Sequence, residues 1–176
     1  MDVLEAIHTR RSIRKYENRP VPNEIIKEIL AAAMSAPSSG NAQPWQFIVI
    51  TEREILDNVP KINSKASMAK FAPMAIMVCG DLGLEKQPGR WIMDCSAATQ
   101  NLLLAAHAKG IGAVWTCIYP EITAIEEFRV LAHLPEHVIP LALVVMGYPA
   151  QKLPRIGRYD EDKVHFNRWE NEDKMQ

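Results

Sequence analysis

Glycine is scarce in this chain. Eight glycines in 176 residues fall well short of the roughly 7% usual in soluble proteins, so there is little material for a glycine-rich loop that cradles a phosphate. If a phosphorylated ligand binds, side chains must do most of the holding. Cysteine is scarcer still. Cys79, Cys95 and Cys117 form no C-x-x-C pair, which argues against a disulfide framework and a cysteine zinc site. The longest apolar runs, 74–79 and 141–146, are strand-sized and far below the ~20 residues that span a bilayer. The opening MDVLEAIHTRRSIRKY lacks the continuous apolar stretch of a secretory signal. A formal net charge of −1 is not the positive footprint of a nucleic-acid binder. These absences lead us to expect a cytoplasmic protein that engages neither membrane nor nucleic acid.

What is present is ordinary globular material, 48% apolar and 23% charged, enough for one domain over residues 1–176. Helical patterns cover 3–9, 23–34, 52–58, 91–109 and 121–134, and strand patterns cover 46–51, 74–80, 113–118 and 139–147. Residues 63–70 fit neither pattern. Apolar residues lie on nearly every side of the 91–109 helix, which must then be buried on nearly every side. A chain this small rarely surrounds such a helix alone, so a partner subunit is expected. Asp94 and Asn101 on that helix are assigned to helix ends or subunit contacts. After Tyr148 the chain turns polar, yet it carries Tyr159, Phe166 and Trp169. Residues 149–176 therefore read as an extended arm whose rings dock on another surface, and the second subunit is the expected one. Helix–strand alternation by itself suggests a doubly wound parallel sheet, although periodicity does not report strand direction.

Two clusters could carry chemistry. Arg10, Arg11, Ser12 and Arg14 place three guanidinium forks and a hydroxyl within five residues, a set matched to phosphate oxygens. The alternative is a solvated basic turn. Residues 37–45, PSSGNAQPW, form a stiff loop of hydroxyls and amides that could read a planar heterocycle; a plain connection is the alternative. The sequence GIGAVW at 110–115 starts like a dinucleotide fingerprint but follows a helix and opens a strand, the reverse of the required order. Pro135 separates His133 from His137, and His8, His107 and His165 have no ligand partners nearby, so no metal site is expected. No nucleophile elbow and no cysteine with a catalytic signature is found.

Taken together, RRSIR, APSSGNAQPWQFIVI, DCSAATQNLLLAAHAKGIGAVW and MGYP followed by a distal arginine resemble the nitroreductase family of flavin-dependent oxidoreductases, along essentially the whole chain. The resemblance implies an α+β three-layer sandwich, with a mostly antiparallel central sheet flanked by helices, in an intertwined homodimer carrying FMN at its interface. It implies that Arg10 and Ser12 meet the phosphate with Arg11 close by, and that Arg14 lies near the pyrimidine side of the flavin. Pro37, Ser38, Ser39, Asn41 and Gln43 would contact the same flavin from the other subunit. Val114, Trp115 and Thr116 would line the ring, and Arg158, in preference to Arg155, would be the late phosphate ligand. The implied activity is hydride transfer from NADPH or NADH to FMN, then to a small acceptor such as a nitroaromatic or quinone, by a ping-pong cycle with no catalytic side chain and no metal. Two alternatives stay open: a flavin-binding sensor or store without turnover, and a specialised reaction such as reductive dehalogenation.

Overall fold

The computed structural model describes residues 1–169, so the end of the expected arm, 170–176, lies outside the described residues. Helix α1 (Val3–Thr9) starts where the Asp2 carboxylate accepts the Glu5 amide at 2.9 Å, a side-chain N-cap. Helix α2 (Asn23–Met34) buries Ile26, Ile29 and Ala33 and stops just before Pro37, where helical geometry is disfavoured for the preceding residue. Strand β1 (Trp45–Ile50), helix α3 (Arg53–Ile62), strand β2 (Met74–Asp81) and helix α4 (Trp91–Ala108) follow. Strand β3 (Gly112–Cys117), helix α5 (Ile122–Leu131) and strand β4 (Val138–Gly147) complete the regular elements. Helix α3 runs past Pro60, because Leu56 and Val59 are fully buried on its inner face and packing overrides one missing hydrogen bond near a helix end. Residues Ser64–Phe71 form 3-10 turns broken at Ala66, whose period differs from both templates used to read the sequence.

The sheet has the order β1-β2-β4-β3 with every pair antiparallel. This corrects the parallel sheet that helix–strand alternation alone would give. Helices α3 and α5 connect antiparallel neighbours, and α4 crosses from β2 to β3, which do not pair with each other, so alternation is the wrong guide to direction. Helices cover both faces. Along β2, Met74, Ile76 and Val78 face the core under α2 and α4, while Ala75, Met77 and Cys79 face the core under α3 and α5. Burial on both faces explains why β2 and β4 read as unbroken apolar runs. The register of β2 against β4 shifts between Val78 and Cys79, opposite Pro140, which tolerates proline in an inner strand.

Helix α4 lies across all four strands, and its Asn101 amide donates to the Ala32 carbonyl at the end of α2, 3.2 Å away. Within one chain its burial is incomplete: Met93 is 51% exposed. Gly110, at φ +74°, closes the helix in the left-handed region. No helix among the described residues is long and apolar enough to cross a membrane.

Candidate functional site

The arginine segment is laid on the open edge of β3. The Ile13 amide donates to the Ala113 carbonyl at 3.0 Å and Ser12 bridges Ala113 in parallel. A Cβ on Gly112 would stand 2.7 Å from the Ile13 side chain, so glycine at that position lets the segment press onto the strand. The Tyr16 hydroxyl, donating to the Ile13 or Val145 carbonyl, pins the far end. Extended backbone puts alternate residues on opposite sides: Ile13 turns into the core, and Arg10, Ser12 and Arg14 share the other side.

Arg10 and Arg11 meet the arm there. A cavity of about 450 Å³ is lined by His8, Arg10, Arg11, Arg155 and Arg158, with no carboxylate among the described residues of its walls. Burial, then the charges of Arg158 and Arg11, push the Arg10 guanidinium below its ordinary pKa. Such crowding of like charge is relieved by an anion. Arg11 donates to the Pro154 carbonyl and so ties the arm to this segment. The Ala150 amide bonds the Lys15 carbonyl nearby. Both Arg155 and Arg158 reach the cavity, and Arg158 is the one whose charge acts on Arg10. Behind it, His107 contacts the Thr9 hydroxyl at 2.8 Å. Burial and then Arg10 hold its imidazole below the usual pKa, so no further cation is added.

Arg14 opens onto a second cavity, about 730 Å³, shared with Lys15, Tyr16, Ser67, Lys70 and Phe71. Ser67, Lys70 and Phe71 come from the 3-10 segment and were missed in the sequence, where 63–70 had no readable period. Arg53 fixes this segment by donating to the Ala69 and Ala72 carbonyls, both at 2.9 Å.

Between these anchors the edge of β3 is available. Ile13 bonds the carbonyl of Ala113 and the Asn63 side chain bonds that of Cys117, so odd-numbered residues of β3 turn their main chain outward. Trp115 sits between them in that outward set, half-buried, with an indole N–H that has no partner among the described residues. Val114 is buried in the core, and Thr116 is buried with its hydroxyl donated to the Leu143 carbonyl at 2.8 Å.

The 37–43 loop is held under strain. Gly40, Asn41 and Gln43 have φ of +59°, +54° and +51°, a region unfavourable for the two non-glycine residues. Asp94, only 4% exposed, accepts from the Ser39 amide and hydroxyl at 2.9 and 3.1 Å. The Lys86 ammonium bonds the Gly40 carbonyl at 2.6 Å. Asp94 thus satisfies the first amide of the short 3-10 turn Ser39–Asn41, rather than an end of its own helix. This loop feeds β1 at the Trp45–Gly80 end of the sheet, whereas Ser12 pairs with Ala113, near the opposite end of β3. These are diagonal corners of the sheet, about 25 Å apart at ordinary strand spacing and rise. One chain does not bring its two clusters together.

Residues 7–78 and 63–148 match the model of the nitroreductase family. A Methanothermobacter thermautotrophicus protein with the provisional name NADH dehydrogenase/NAD(P)H nitroreductase is 52% identical over 169 residues, covering 96% of this chain and 88% of that protein. The crystal structure of a Parabacteroides distasonis protein with the same provisional name superposes at a TM-score of 0.91 with 44% identity, covering 94% and 98% of the two chains. A Desulfovibrio desulfuricans protein, provisionally a nitroreductase and solved in complex with FMN, gives 0.81 at 31% identity over 96% and 98%. The chain belongs to the nitroreductase family.

Proposed function

We propose that this chain is an FMN-dependent oxidoreductase that takes hydride from NAD(P)H and delivers electrons to a small acceptor, such as a nitroaromatic or quinone, in a ping-pong cycle. The observation that carries the reading is the arginine cavity beside the open β3 edge, free of acids among the described residues. Its donor set fits FMN: guanidinium forks suit a phosphate dianion, and a neighbouring cationic cavity with outward backbone suits a polar ring. When bound, the flavin supplies two-electron hydride chemistry that no side chain here provides. Burial pushes the Cys79 and Cys95 thiols up to about 12, so neither is a nucleophile near neutral pH.

Arg10 and Arg158 would hold the phosphate, with Ser12 as a neutral donor and Arg11 bracing the arm. Arg14, joined by Lys70, would supply the preorganised positive charge that a reduced flavin ring calls for. The outward main chain of Trp115 would orient the ring edge. Ser38, Asn41 and Gln43 approach from a second copy of the chain, because their own chain holds them at the far corner of the sheet. Apolar side chains on the neighbouring helices α1 and α4 suit that homodimer: Val3, Leu4, Ile7 and Met93 are 72, 64, 49 and 51% exposed. So do the exposed arm rings of Tyr159 and Trp169.

Purified protein is expected to be yellow and to bleach when mixed anaerobically with NADPH or NADH. Bound flavin that stays oxidised with both donors supports the sensor or store instead. A colourless protein that takes up no added FMN removes both.

A further inference from the structure

The cavity in front of Arg14 holds more positive charge than the cofactor uses. Arg14, Lys15 and Lys70 line it, and among the described residues no acidic side chain joins the walls and none of the three forms an ion pair. Arg14 and Lys70 answer to charge on the flavin ring in the reading above, which leaves the Lys15 ammonium. Beside it Phe71 is 68% exposed, so an aromatic ring stands among these cations. The Lys70 ammonium stands over this ring at 4.8 Å from its centroid. That contact occupies one face of a ring that also lines the cavity. At about 730 Å³ the space exceeds that of the arginine cavity and lies in the upper part of the range for small-molecule sites, so a second ring fits beside the cofactor.

We infer that the acceptor is a small aromatic anion, its ring against Phe71 and its negative group at Lys15. The inference rests on the oxidoreductase reading and names the substrate class of that same site. A cation draws an anionic acceptor in, and the aromatic face orients it, so charge and flatness are selected together. With a nitroarene as probe, NAD(P)H loses a hydride, and that hydride with one solvent proton converts the nitro group to nitroso and water. The carboxylate takes no part in the redox step and serves recognition only.

The test compares 4-nitrobenzoate with its neutral analogue 4-nitrobenzamide on the flavin-loaded protein. The kcat/KM ratio is expected to favour the benzoate by about tenfold in dilute buffer, and to fall as salt screens an exposed lysine. Lys15→Met should bring the ratio to within about twofold of unity, and Lys15→Arg should restore it. Lys27→Met, which removes a cation from the exposed side of α2, should leave the ratio unchanged. Phe71→Leu should raise KM for both acceptors. Equal kcat/KM in the wild type, or a preference that survives Lys15→Met, overturns the inference. Anaerobic reduction of the same sample by NAD(P)H is measured first. Flavin that is not reduced overturns both the oxidoreductase reading and this one; flavin that is reduced without acceptor preference overturns only this one.

Discussion

Replacing Arg10 with methionine should weaken FMN binding and stabilise the empty protein at the same time. The side chain is half-buried beside Arg11 and Arg158, and burial and those two charges depress its pKa. In the absence of an anion, its charge works against folding. Methionine keeps most of the aliphatic stem and removes the fork, so packing changes little. On the binding side, the loss is a charge-assisted contact to phosphate, about 1.5–3 kcal/mol, or roughly 10- to 100-fold in Kd. The remaining arginines prevent a complete loss. The assay is a fluorescence titration of flavin-stripped protein at fixed salt, paired with thermal unfolding of the same stripped samples. Expected are a higher Kd and an unfolding midpoint at or above that of wild type. An unchanged Kd would refute the phosphate assignment. A lower midpoint in the stripped protein would refute the claim of unrelieved repulsion.

Arg14→Ala should slow anaerobic flavin reduction more than it weakens FMN retention, by about 2–4 kcal/mol in the barrier on the scale of other preorganised donors; equal losses in stopped-flow rate and Kd would contradict this. Asp94→Ala removes both bonds that hold Ser39 and should cost about tenfold in FMN affinity, whereas Asp94→Asn, which keeps an acceptor, should recover most of it by the same titration. The folded pKa of His107 lies below its ordinary 6.5. The unfolded chain therefore takes up the proton first, and stability falls as pH drops below about 6.5 toward the lower folded pKa. His107→Gln should flatten that part of a denaturation-versus-pH curve, and an unchanged slope would show that the imidazole is not responsible.

Much of this was legible because local chemistry decided it. Helices α1 and α2 have the extents read from the sequence, 3–9 and 23–34, and the structure adds the Asp2 cap that starts the first of them. Helix α5 ends at Leu131, short of the expected 134, because His133 adopts φ +51°, and nothing in the apolar spacing reports that turn. Strand direction is a property of pairing partners distant in sequence, so alternation alone misread it. Lys70 and Phe71 were invisible for a related reason. Their segment has a 3-10 period and is fixed by Arg53, far back on α3. The arginine segment and the 37–43 loop were found by residue type. Their placement at diagonal corners emerges only from the order of the strands, and under the proposed function that placement calls for a second subunit.

The most direct measurement is complementation between two defective chains. One carries Arg10→Ala and Arg158→Ala; the other carries Ser38→Ala, Asn41→Ala and Gln43→Ala. Unfolded together and refolded, the mixed dimer has one site built wholly from intact halves. Its flavin content per chain should reach about half that of wild type, given two-fold symmetry, and activity should return with it. Mixed dimers no richer in flavin than either parent would contradict a site shared between chains.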